Sequence, residues 1–322
     1  MSRSRAWAEL LRLPALFTVP GDALSGAAST GAPPNSRTLL AIGSSLCLYE
    51  AGMALNDWAD REEDAAERPH RPLPSGRIQP SSALTAACAL TVAGLALAAR
   101  AGRSALAVAA PLAATVWAYD LALKHTPAGP VAMAAARGLD HLLGAAATTG
   151  RTREALPSAV LLGTHTFAVT TVSRRETQGG SSLPPLAALA ATALLTRLVA
   201  RAPRGTRDAT PTGTGTGTGL GAGVRGGAGR RTSARERPGL TLDIALRTAL
   251  AAAYAATAGR PYTHAALNPS PPLTQRAVGG GIRATIPLQA ALAARAGAGL
   301  TAVAIAVLAP IGRRYARKVS IT

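Results

Sequence analysis

Aromatic residues are scarce in this chain, at 3% of its 322 residues, and charged residues make up only 16%. Soluble domains average about 25% charged residues, whereas 48% of this chain is hydrophobic, with alanine and leucine dominant. Small apolar side chains suit helix packing in a bilayer, where close approach of the backbones replaces the hydrophobic effect as the driving force. The composition therefore predicts a membrane protein and excludes an ordinary soluble domain.

Acidic residues are also few, with 16 against 34 basic residues and a formal net charge of +18. Such a charge can indicate nucleic-acid binding, but the basic residues have no interleaved aromatics and form no recognisable reading motif. Many stand at the ends of apolar runs, where they suit anionic lipid headgroups. We predict no nucleic-acid partner. The two cysteines, Cys47 and Cys88, show no metal-ligand spacing and are interpreted as small buried hydrophobic residues.

A membrane-spanning helix needs roughly 20 predominantly apolar residues, and nine stretches of the chain approach that length. They are 13–30, 38–55, 82–100, 104–121, 131–149, 155–172, 183–200, 240–258 and 285–309. No alternating pattern argues for a barrel, so we predict an all-α, polytopic membrane bundle of about nine helices, forming one domain over residues 1–322. The first stretch has features of a signal peptide, but Pro14 and Asp22 interrupt it and favour a retained helix.

Residues 201–239 have a different composition, rich in glycine, threonine and arginine and without an apolar period. Such a segment cannot bury enough apolar surface to offset the entropy of ordering it. We predict a disordered insert between helices seven and eight.

The most informative segment lies between Asn56 and Ile78, where acidic residues and then arginines and prolines separate two apolar stretches. Asp57, Asp60 and Asp64 are spaced to share one face of a helix. Carboxylates grouped in this way repel each other unless a cation neutralises them, and oxygen ligands of this kind suit Mg²⁺ together with a substrate phosphate. Arg68 and Arg71 then offer planar donors to diphosphate oxygens. The alternative is a solvated, charged connection between helices.

The spacing Asn56-Asp57-x-x-Asp60-x-x-x-Asp64, followed by RPxRPLPSGRI at 68–78, resembles the UbiA family of intramembrane prenyltransferases. The resemblance implies a nine-helix membrane bundle and Mg²⁺-dependent transfer of a prenyl group from a prenyl diphosphate to an aromatic or similar small hydrophobic acceptor. It also implies a prokaryotic plasma membrane, with the acidic motif on the cytoplasmic side. Asn56 is expected to orient the metal ligands near the diphosphate.

Nine spans place four connections on one face of the membrane: 56–77, 119–130, 173–180 and 259–284. In the second connection, Lys124 and Tyr119 either contact diphosphate and line the pocket, or are a snorkelling lysine and an interfacial tyrosine. The resemblance favours the first interpretation. The same count puts a C-terminal basic cluster on the opposite face, against the positive-inside rule. That cluster comprises Arg313, Arg314, Arg317 and Lys318.

Two charged residues, Arg137 and Asp140, lie inside the fifth span. Intramembrane charges are costly and usually face a bundle interior or a cavity. These two either pair with each other or line the reaction cavity, and we expect cavity lining. Asp22 invites the same interpretation, and Glu50 is expected to support the metal site. Two histidines on apolar stretches are expected to be core residues rather than ligands: His141 and His165.

The end of the sixth span departs from the family pattern, which implies a second aspartate-rich element and a second Mg²⁺ there. The chain reads VTTVSRRETQGG, and Glu176 is the one carboxylate. A carboxylate beside two arginines favours direct contact with diphosphate oxygens, so Arg174 is predicted to bind diphosphate. Whether Glu176 and Ser173 serve a metal stays open. The pattern is similar to an EboC-like branch of the family. The alternative function is a non-catalytic membrane protein that binds, or helps to export, a hydrophobic metabolite.

Overall fold

In a computed structural model, which describes residues 3–176, 179–201 and 238–319, every regular element over those residues is helical. The twelve α-helices are α1 Arg3–Leu10, α2 Val19–Ser29, α3 Ser36–Ala59, α4 Arg61–Glu67, α5 Pro80–Ala101, α6 Arg103–Ala118, α7 Gly129–Thr149, α8 Leu156–Ser173, α9 Leu183–Ala200, α10 Pro238–Leu267, α11 Pro271–Arg295 and α12 Gly299–Val319. Short 3-10 helices cover Leu13–Thr18 and Arg153–Ala155, and a π-helical turn covers Tyr119–Leu123. The predicted all-α fold class is confirmed. Most of the predicted insert, residues 202–237, lies outside the described residues.

Consecutive helices pack against each other along the chain from α5 to α12, and α12 returns to pack against α2 and the 3-10 helix at Leu13–Thr18. The α2 helix lies against α3, α7 and α11, so it is inside the bundle. Its eleven residues follow directly from the 3-10 helix, whose second residue is a proline. The predicted first span is therefore two short helices in sequence. Pro20, the second residue of α2, lacks the N–H that a continuous α-helix would bond to the Leu16 oxygen.

Glycines at the contact between α2 and α7 allow two backbones to touch. A Cβ atom on Gly144 would lie 2.2 Å from the backbone oxygen of Ala23, and one on Gly26 would lie 1.9 Å from the backbone oxygen of His141. Side chains are excluded at both positions, so the helices approach as closely as small-residue packing in membranes permits. This packing explains how a chain with so few aromatics fills its interior.

Five helical segments are long and apolar enough to cross a membrane: Ser36–Ala59, Pro80–Ala101, Arg103–Leu123, Arg153–Ser173 and Leu183–Ala200. Among the residues that the structure covers, nine helices have at least 16 residues, which agrees with a bundle of about nine spans. Cys88 on α5 is exposed and Cys47 on α3 is half-buried. The interpretation of both as buried residues is wrong for Cys88, because most of α5 faces away from the bundle.

The ninth predicted span, 285–309, is wrong in its boundaries. The structure ends α11 at Arg295 and starts α12 at Gly299, with Gly297 in the left-handed conformation at φ 81° in the turn. The predicted connection 259–284 is mostly helix, since α10 reaches Leu267 and α11 starts at Pro271. Glycines and arginines lower the mean hydropathy of the first half of α11, so that stretch was not predicted as part of a membrane-spanning helix.

The additional helix returns the end of α12 to the face that carries the acidic motif. A Cβ atom on Gly312 would lie 3.1 Å from the Cβ of Phe17, at the start of the bundle's first span. The basic residues after Gly312 belong to the last two turns of α12. Their predicted position on the opposite face is therefore wrong, because one helix was missing from the count.

Candidate functional site

The candidate site is centred on the junction between α3 and α4. Asp60 separates the two helices with φ −88° and ψ 4°, but the hydrogen bonds from the Asp60 nitrogen to the Asn56 oxygen (2.9 Å) and from the Asp64 nitrogen to the Asp60 oxygen (2.8 Å) keep a near-helical course. The side chains of Asp57 and Asp64 therefore still lie near each other. Both residues are buried, at 4% and 5% exposure.

One guanidinium nitrogen lies close to two of these carboxylates. Arg71 Nη1 donates to Asp64 Oδ2 at 2.6 Å and lies 3.7 Å from Asp57 Oδ1. Arg71 reaches this position from the loop after α4, where the Ser75 nitrogen bonds to its backbone oxygen at 3.0 Å. Asp57 and Asp64 thus define a position that suits a positive charge.

Arg12, which was not predicted as a site residue, donates from Nη2 to Asp57 Oδ1 at 3.0 Å. Its backbone is in the left-handed region at φ 49°, ψ 44°, a conformation that costs a non-glycine residue about 1–2 kcal/mol. Nearby, Arg77 makes a two-pronged ion pair with Glu9 on α1, at 2.7 and 3.1 Å, and this hydrogen bonding raises the pKa of Arg77. The N-terminal segment is therefore tied to the acidic motif at two points.

The connection between α6 and α7 supplies a further cation. The π-helical turn, closed by a 2.9 Å hydrogen bond from the Lys124 nitrogen to the Tyr119 oxygen, precedes Lys124, whose ammonium contacts Asp60 Oδ2. In the same turn, Asp120 accepts a 3.0 Å hydrogen bond from Asn56 Nδ2. Single π-helical turns often occur at functional sites. Asp120 was not predicted, and the structure joins Asn56 to it rather than to Asp57.

The end of α8 contributes an arginine to this connection. Arg174 Nη1 donates to the backbone oxygen of Thr126, and Nη2 donates to that of His125 at 3.4 Å. Ser173 bonds to the backbone oxygen of Thr170 at 2.9 Å. Within the described ranges, Glu176 has no ion pair and the exposed side chain of Arg68 has no polar partner. No second acidic cluster is built from 173–176.

A cavity of about 270 Å³ adjoins the acidic cluster, between α3, α6 and α7. It is lined by Arg12, Ser45, Leu48, Tyr49, Gly52, Met53, Asn56, Leu112, Val116, Tyr119, Asp120, Met133, Ala136, Arg137, Asp140 and Thr166. The structure thus places Tyr119, Arg137 and Asp140 in one cavity wall. Arg12 and Asn56 belong both to this wall and to the hydrogen-bond network of the acidic motif. The cavity therefore opens onto a charged cluster, which consists of the three aspartates of the motif and the cations that contact them: Arg12, Arg71 and Lys124.

Arg137 forms its ion pair with Asp22 on α2, at 2.5 Å between Nη1 and Oδ2, rather than with Asp140. Asp140 accepts a hydrogen bond from Ser45. Asp22 is fully buried and also accepts a 2.8 Å hydrogen bond from Gln289 Nε2. The alternative of a pair between Arg137 and Asp140 is therefore wrong, because the Arg137 guanidinium pairs with Asp22 on α2 while the Asp140 carboxyl group is hydrogen-bonded by Ser45 on α3.

Both histidines predicted as core residues are buried and hydrogen-bonded. His141 Nδ1 lies 3.0 Å from Ser25 Oγ, and His165 lies 3.1 Å from the Tyr254 hydroxyl and 3.0 Å from the Gly281 oxygen. Glu50 is buried, and neither of its carboxylate oxygens has a hydrogen-bond partner among the described residues. Glu50 therefore makes no direct hydrogen bond to the acidic motif within the described part of the chain.

Comparison with known proteins gives consistent results. The family model of the UbiA prenyltransferase family matches residues 15–201. The digeranylgeranylglyceryl phosphate synthase of Methanothrix thermoacetophila is 37% identical over 145 residues, which are 44% of this chain and 54% of that protein. The enzyme of the same name from Methanopyrus kandleri is 36% identical over 129 residues, 38% of this chain and 45% of that protein. The chain thus spans about half the length of the curated relatives it matches.

Two solved structures share the fold. A UbiA homolog from Archaeoglobus fulgidus bound to DMAPP and Mg²⁺ aligns with a TM-score of 0.57 and 17% identity, over 94% of this chain and 99% of that one. The apo structure of a UbiA homolog from Aeropyrum pernix K1 aligns with a TM-score of 0.55 and 19% identity, over 83% of this chain and 96% of that one. At these identities the likeness shows the fold alone.

Proposed function

The chain belongs to the UbiA prenyltransferase family, and from that premise we propose that it transfers a prenyl group from a prenyl diphosphate to a small hydrophobic acceptor, aromatic or similar, inside the membrane. The observation that carries the proposal is the contact between the charged cluster and the cavity, since Arg12 binds Asp57 and also lines the cavity wall. A diphosphate held at the cluster would extend its prenyl chain into the cavity.

The acidic residues fit a divalent cation. Arg71 Nη1 occupies a position within 3.7 Å of two buried carboxylates, so these carboxylates already converge on one positive charge. Carboxylate oxygens are the ligands that Mg²⁺ takes from proteins, with further oxygens from water and substrate phosphate. We propose that Asp57, Asp60 and Asp64 hold Mg²⁺, and that Asn56 orients this set through Asp120.

The diphosphate would be bound by cations from four separate segments: Arg12, Arg68, Arg71, Lys124 and Arg174. Three of them now pair with the aspartates. Bound Mg²⁺ would supply the charge that neutralises the leaving diphosphate. The guanidinium and ammonium groups stabilise the same developing charge, which is the largest contribution that a preorganised site can make.

In the proposed reaction, the bond between the first prenyl carbon and the diphosphate oxygen breaks, and the diphosphate leaves with the electron pair. The allylic carbon then forms a bond with the acceptor nucleophile, which loses a proton. Apolar side chains in the cavity wall would shield the allylic cation, which forms when the diphosphate leaves, from water. They include Leu48, Leu112 and Val116. Tyr119, Arg137 and Asp140 give the wall polar groups that could orient an acceptor.

Binding of a non-reactive prenyl diphosphate analogue to the purified full chain, with and without Mg²⁺, tests the proposal. We expect Mg²⁺-dependent binding that is lost in Asp57→Asn and Asp64→Asn. Glu62→Gln is a matched control, because Glu62 lies in the same short helix but is exposed and pairs with Arg61. If the aspartate variants bind the analogue as tightly as the parent, the proposed site is wrong.

A second candidate is a non-catalytic protein that binds a prenyl diphosphate or another hydrophobic metabolite. The absence of aspartate from residues 173–180 favours it. Release of diphosphate during an acceptor screen separates the two functions, since a binder retains analogue binding but releases none. The assignment to an EboC-like branch stays a prediction.

The position of α12 supports a cytoplasmic orientation for the acidic motif. Its last two turns carry basic residues and lie on the face of the acidic motif, which also carries Arg12, Arg68 and Arg71. Lys and Arg are enriched on the cytoplasmic side of membrane proteins. Labelling a cysteine introduced at Arg68 with an impermeant reagent in intact cells tests this orientation, and labelling from outside would reverse it.

A further inference from the structure

A second cavity is formed by a different set of helices from the cavity beside the acidic motif. It encloses about 570 Å³ between α10, α11, α12 and the 3-10 helix Leu13–Thr18, and small-molecule sites have volumes of about 300–1,000 Å³. The two cavities share no lining residue. We propose that this second cavity, here called the lipid cavity, binds one membrane phospholipid with an anionic headgroup, whose phosphate contacts Arg283.

The wall of the lipid cavity is more polar towards the face of the acidic motif. The turn between α10 and α11 lies on that face, where the Gly180 nitrogen donates to the Pro269 oxygen at 2.8 Å. Thr257 and Arg283 line the cavity and lie closer to this turn than the apolar residues of the deeper wall. The deeper wall includes Leu250, Ile286 and Pro287. This gradient suits an amphiphile whose headgroup lies towards the motif face.

Arg283 is a charged residue in the middle of a helix that belongs to a membrane bundle. It lies about 18 Å along α11 from Pro271, at a rise of 1.5 Å per residue. Among the residues that the structure describes, its guanidinium makes no hydrogen bond and no ion pair. Intramembrane charges are costly unless they are compensated, and a guanidinium binds phosphate with two parallel hydrogen bonds. Arg283 therefore favours a ligand with a phosphate group.

The Arg283 side chain runs back along α11 towards the first turn of that helix. A Cβ atom on Gly279 would lie 3.4 Å from Arg283 Nη1, so the guanidinium lies over a position that has no side chain. Long basic side chains extend in this way towards the polar region of a bilayer while their stems stay in apolar surroundings. The phosphate of the lipid would therefore lie near Gly279, and its acyl chain would extend into the deeper wall.

The charges around the lipid cavity favour an anionic lipid over a zwitterionic one. Asp243 is the one acidic residue between positions 238 and 322, and it lies near the start of α10, at the other end of that helix from the turn to α11. Three exposed arginines continue the cavity-lining faces of α10, α11 and α12 towards the motif face: Arg260, Arg276 and Arg314. Each basic residue near a membrane surface attracts anionic headgroups.

Native mass spectrometry of the full chain in detergent tests the site, with phosphatidylglycerol and phosphatidylcholine of the same acyl chains as probes. The parent should bind phosphatidylglycerol more tightly. Arg283→Gln should weaken that binding by about tenfold or more, and Arg283→Lys should retain part of it because the charge remains. Arg100→Gln is the control, since Arg100 is an exposed arginine in the last turn of α5, outside the lipid cavity.

A second pair of variants tests the apolar part of the lipid cavity without removing a charge. Ala253 is exposed and lines the cavity, so Ala253→Phe should fill the space and weaken phosphatidylglycerol binding. Ala252→Phe is the matched control, because Ala252 is exposed on the same helix but does not line the cavity. Unfolding temperatures of both variants without lipid should equal that of the parent, which separates filling of the cavity from a loss of fold.

Three results would overturn the inference. Equal affinities of the parent for the two lipids would remove the anionic headgroup. Parent-like binding of phosphatidylglycerol by Arg283→Gln or by Ala253→Phe would show that the lipid binds elsewhere. Displacement of phosphatidylglycerol by an excess of glycerol 3-phosphate would show that the site recognises a free phosphate rather than a lipid.

The inference goes beyond the proposed function and does not depend on it. Asp57→Asn with Asp64→Asn should lose Mg²⁺-dependent binding of the prenyl diphosphate analogue and keep the preference for phosphatidylglycerol, because neither aspartate lines the lipid cavity. Loss of that preference in a double variant that unfolds at the parent's temperature would show that the two sites are not separate, and the inference would fail.

Discussion

Replacing Asp22 with asparagine is expected to destabilise the bundle by about 3 kcal/mol, because the change leaves a buried guanidinium without its ionic partner. Asp22 is fully buried on α2, and its two carboxylate oxygens accept hydrogen bonds from Arg137 at 2.5 Å and from Gln289 at 2.8 Å. These contacts join α2 to α7 and α11. The Asp22 carboxylate therefore connects three helices in the interior of the protein.

The expected loss in the free energy of unfolding follows from the contacts that each partner of Asp22 loses. Breaking a buried ion pair by removing one charge costs about 3–5 kcal/mol. The lower end applies here because the Arg137 side chain retains 21% exposure towards the cavity, where water can solvate it. Gln289 Nε2 also keeps its 2.8 Å hydrogen bond to the backbone oxygen of Thr18. A loss of about 3 kcal/mol lowers the folding equilibrium constant more than a hundredfold.

Reversible unfolding of the full chain in mixed micelles measures this free energy. Asp22→Asn, Arg137→Gln and the double variant form a cycle, and the double variant should lose about 2 kcal/mol less than the sum of the single changes. The reasoning is refuted if Asp22→Asn unfolds within about 0.5 kcal/mol of the parent, a difference typical of a surface substitution. Strict additivity in the cycle would show that the two side chains do not act as a pair.

Two further predictions concern close packing and the strained arginine. Gly144→Ala should lower the free energy of unfolding by up to about 3 kcal/mol, since the new methyl would lie 2.2 Å from a backbone oxygen. Gly259→Ala is the control, because the nearest atom to its new methyl would lie at 3.8 Å. Equal unfolding free energies for the two variants would contradict the close packing at Gly144. Arg12→Gly should be more stable than Arg12→Ala by about 1 kcal/mol, because glycine adopts the left-handed conformation without penalty. Both Arg12 variants should bind the prenyl diphosphate analogue more weakly than the parent, and parent-like binding would remove Arg12 from the site.

The acidic part of the candidate site is predictable from the sequence because its residues are local. Asp57, Asp60 and Asp64 lie within one short segment, and the near-helical backbone keeps them together even though α3 ends at Ala59. The fold class was also predictable, since long apolar stretches and the lack of alternating patterns are properties of composition and order alone. Lys124 was predicted from its place in a connection beside the motif and from the family resemblance.

The remaining parts of the site depend on contacts that no local pattern records. Arg12 reaches Asp57 across 45 residues through a left-handed backbone turn, and in sequence it is one more basic residue before an apolar stretch. Asp120 meets Asn56 through a π-helical turn, which hydropathy cannot show. The turn at Gly297 was missed for a different reason, because alanine on both sides of it makes two helices look like one apolar run.

The balance of charges in the cluster indicates how its ligands should bind. Each of the three aspartates contacts at least one cation: Asp57 contacts Arg12 and Arg71, Asp64 contacts Arg71, and Asp60 contacts Lys124. A diphosphate alone would have to draw these cations away and leave buried carboxylates uncompensated, which is costly. Mg²⁺ alone would meet carboxylates that are already neutralised. If both bound at the proposed site, the metal would take the place of the cations at the aspartates and the freed cations would turn to the diphosphate. Each ligand should then raise the affinity for the other by the same factor.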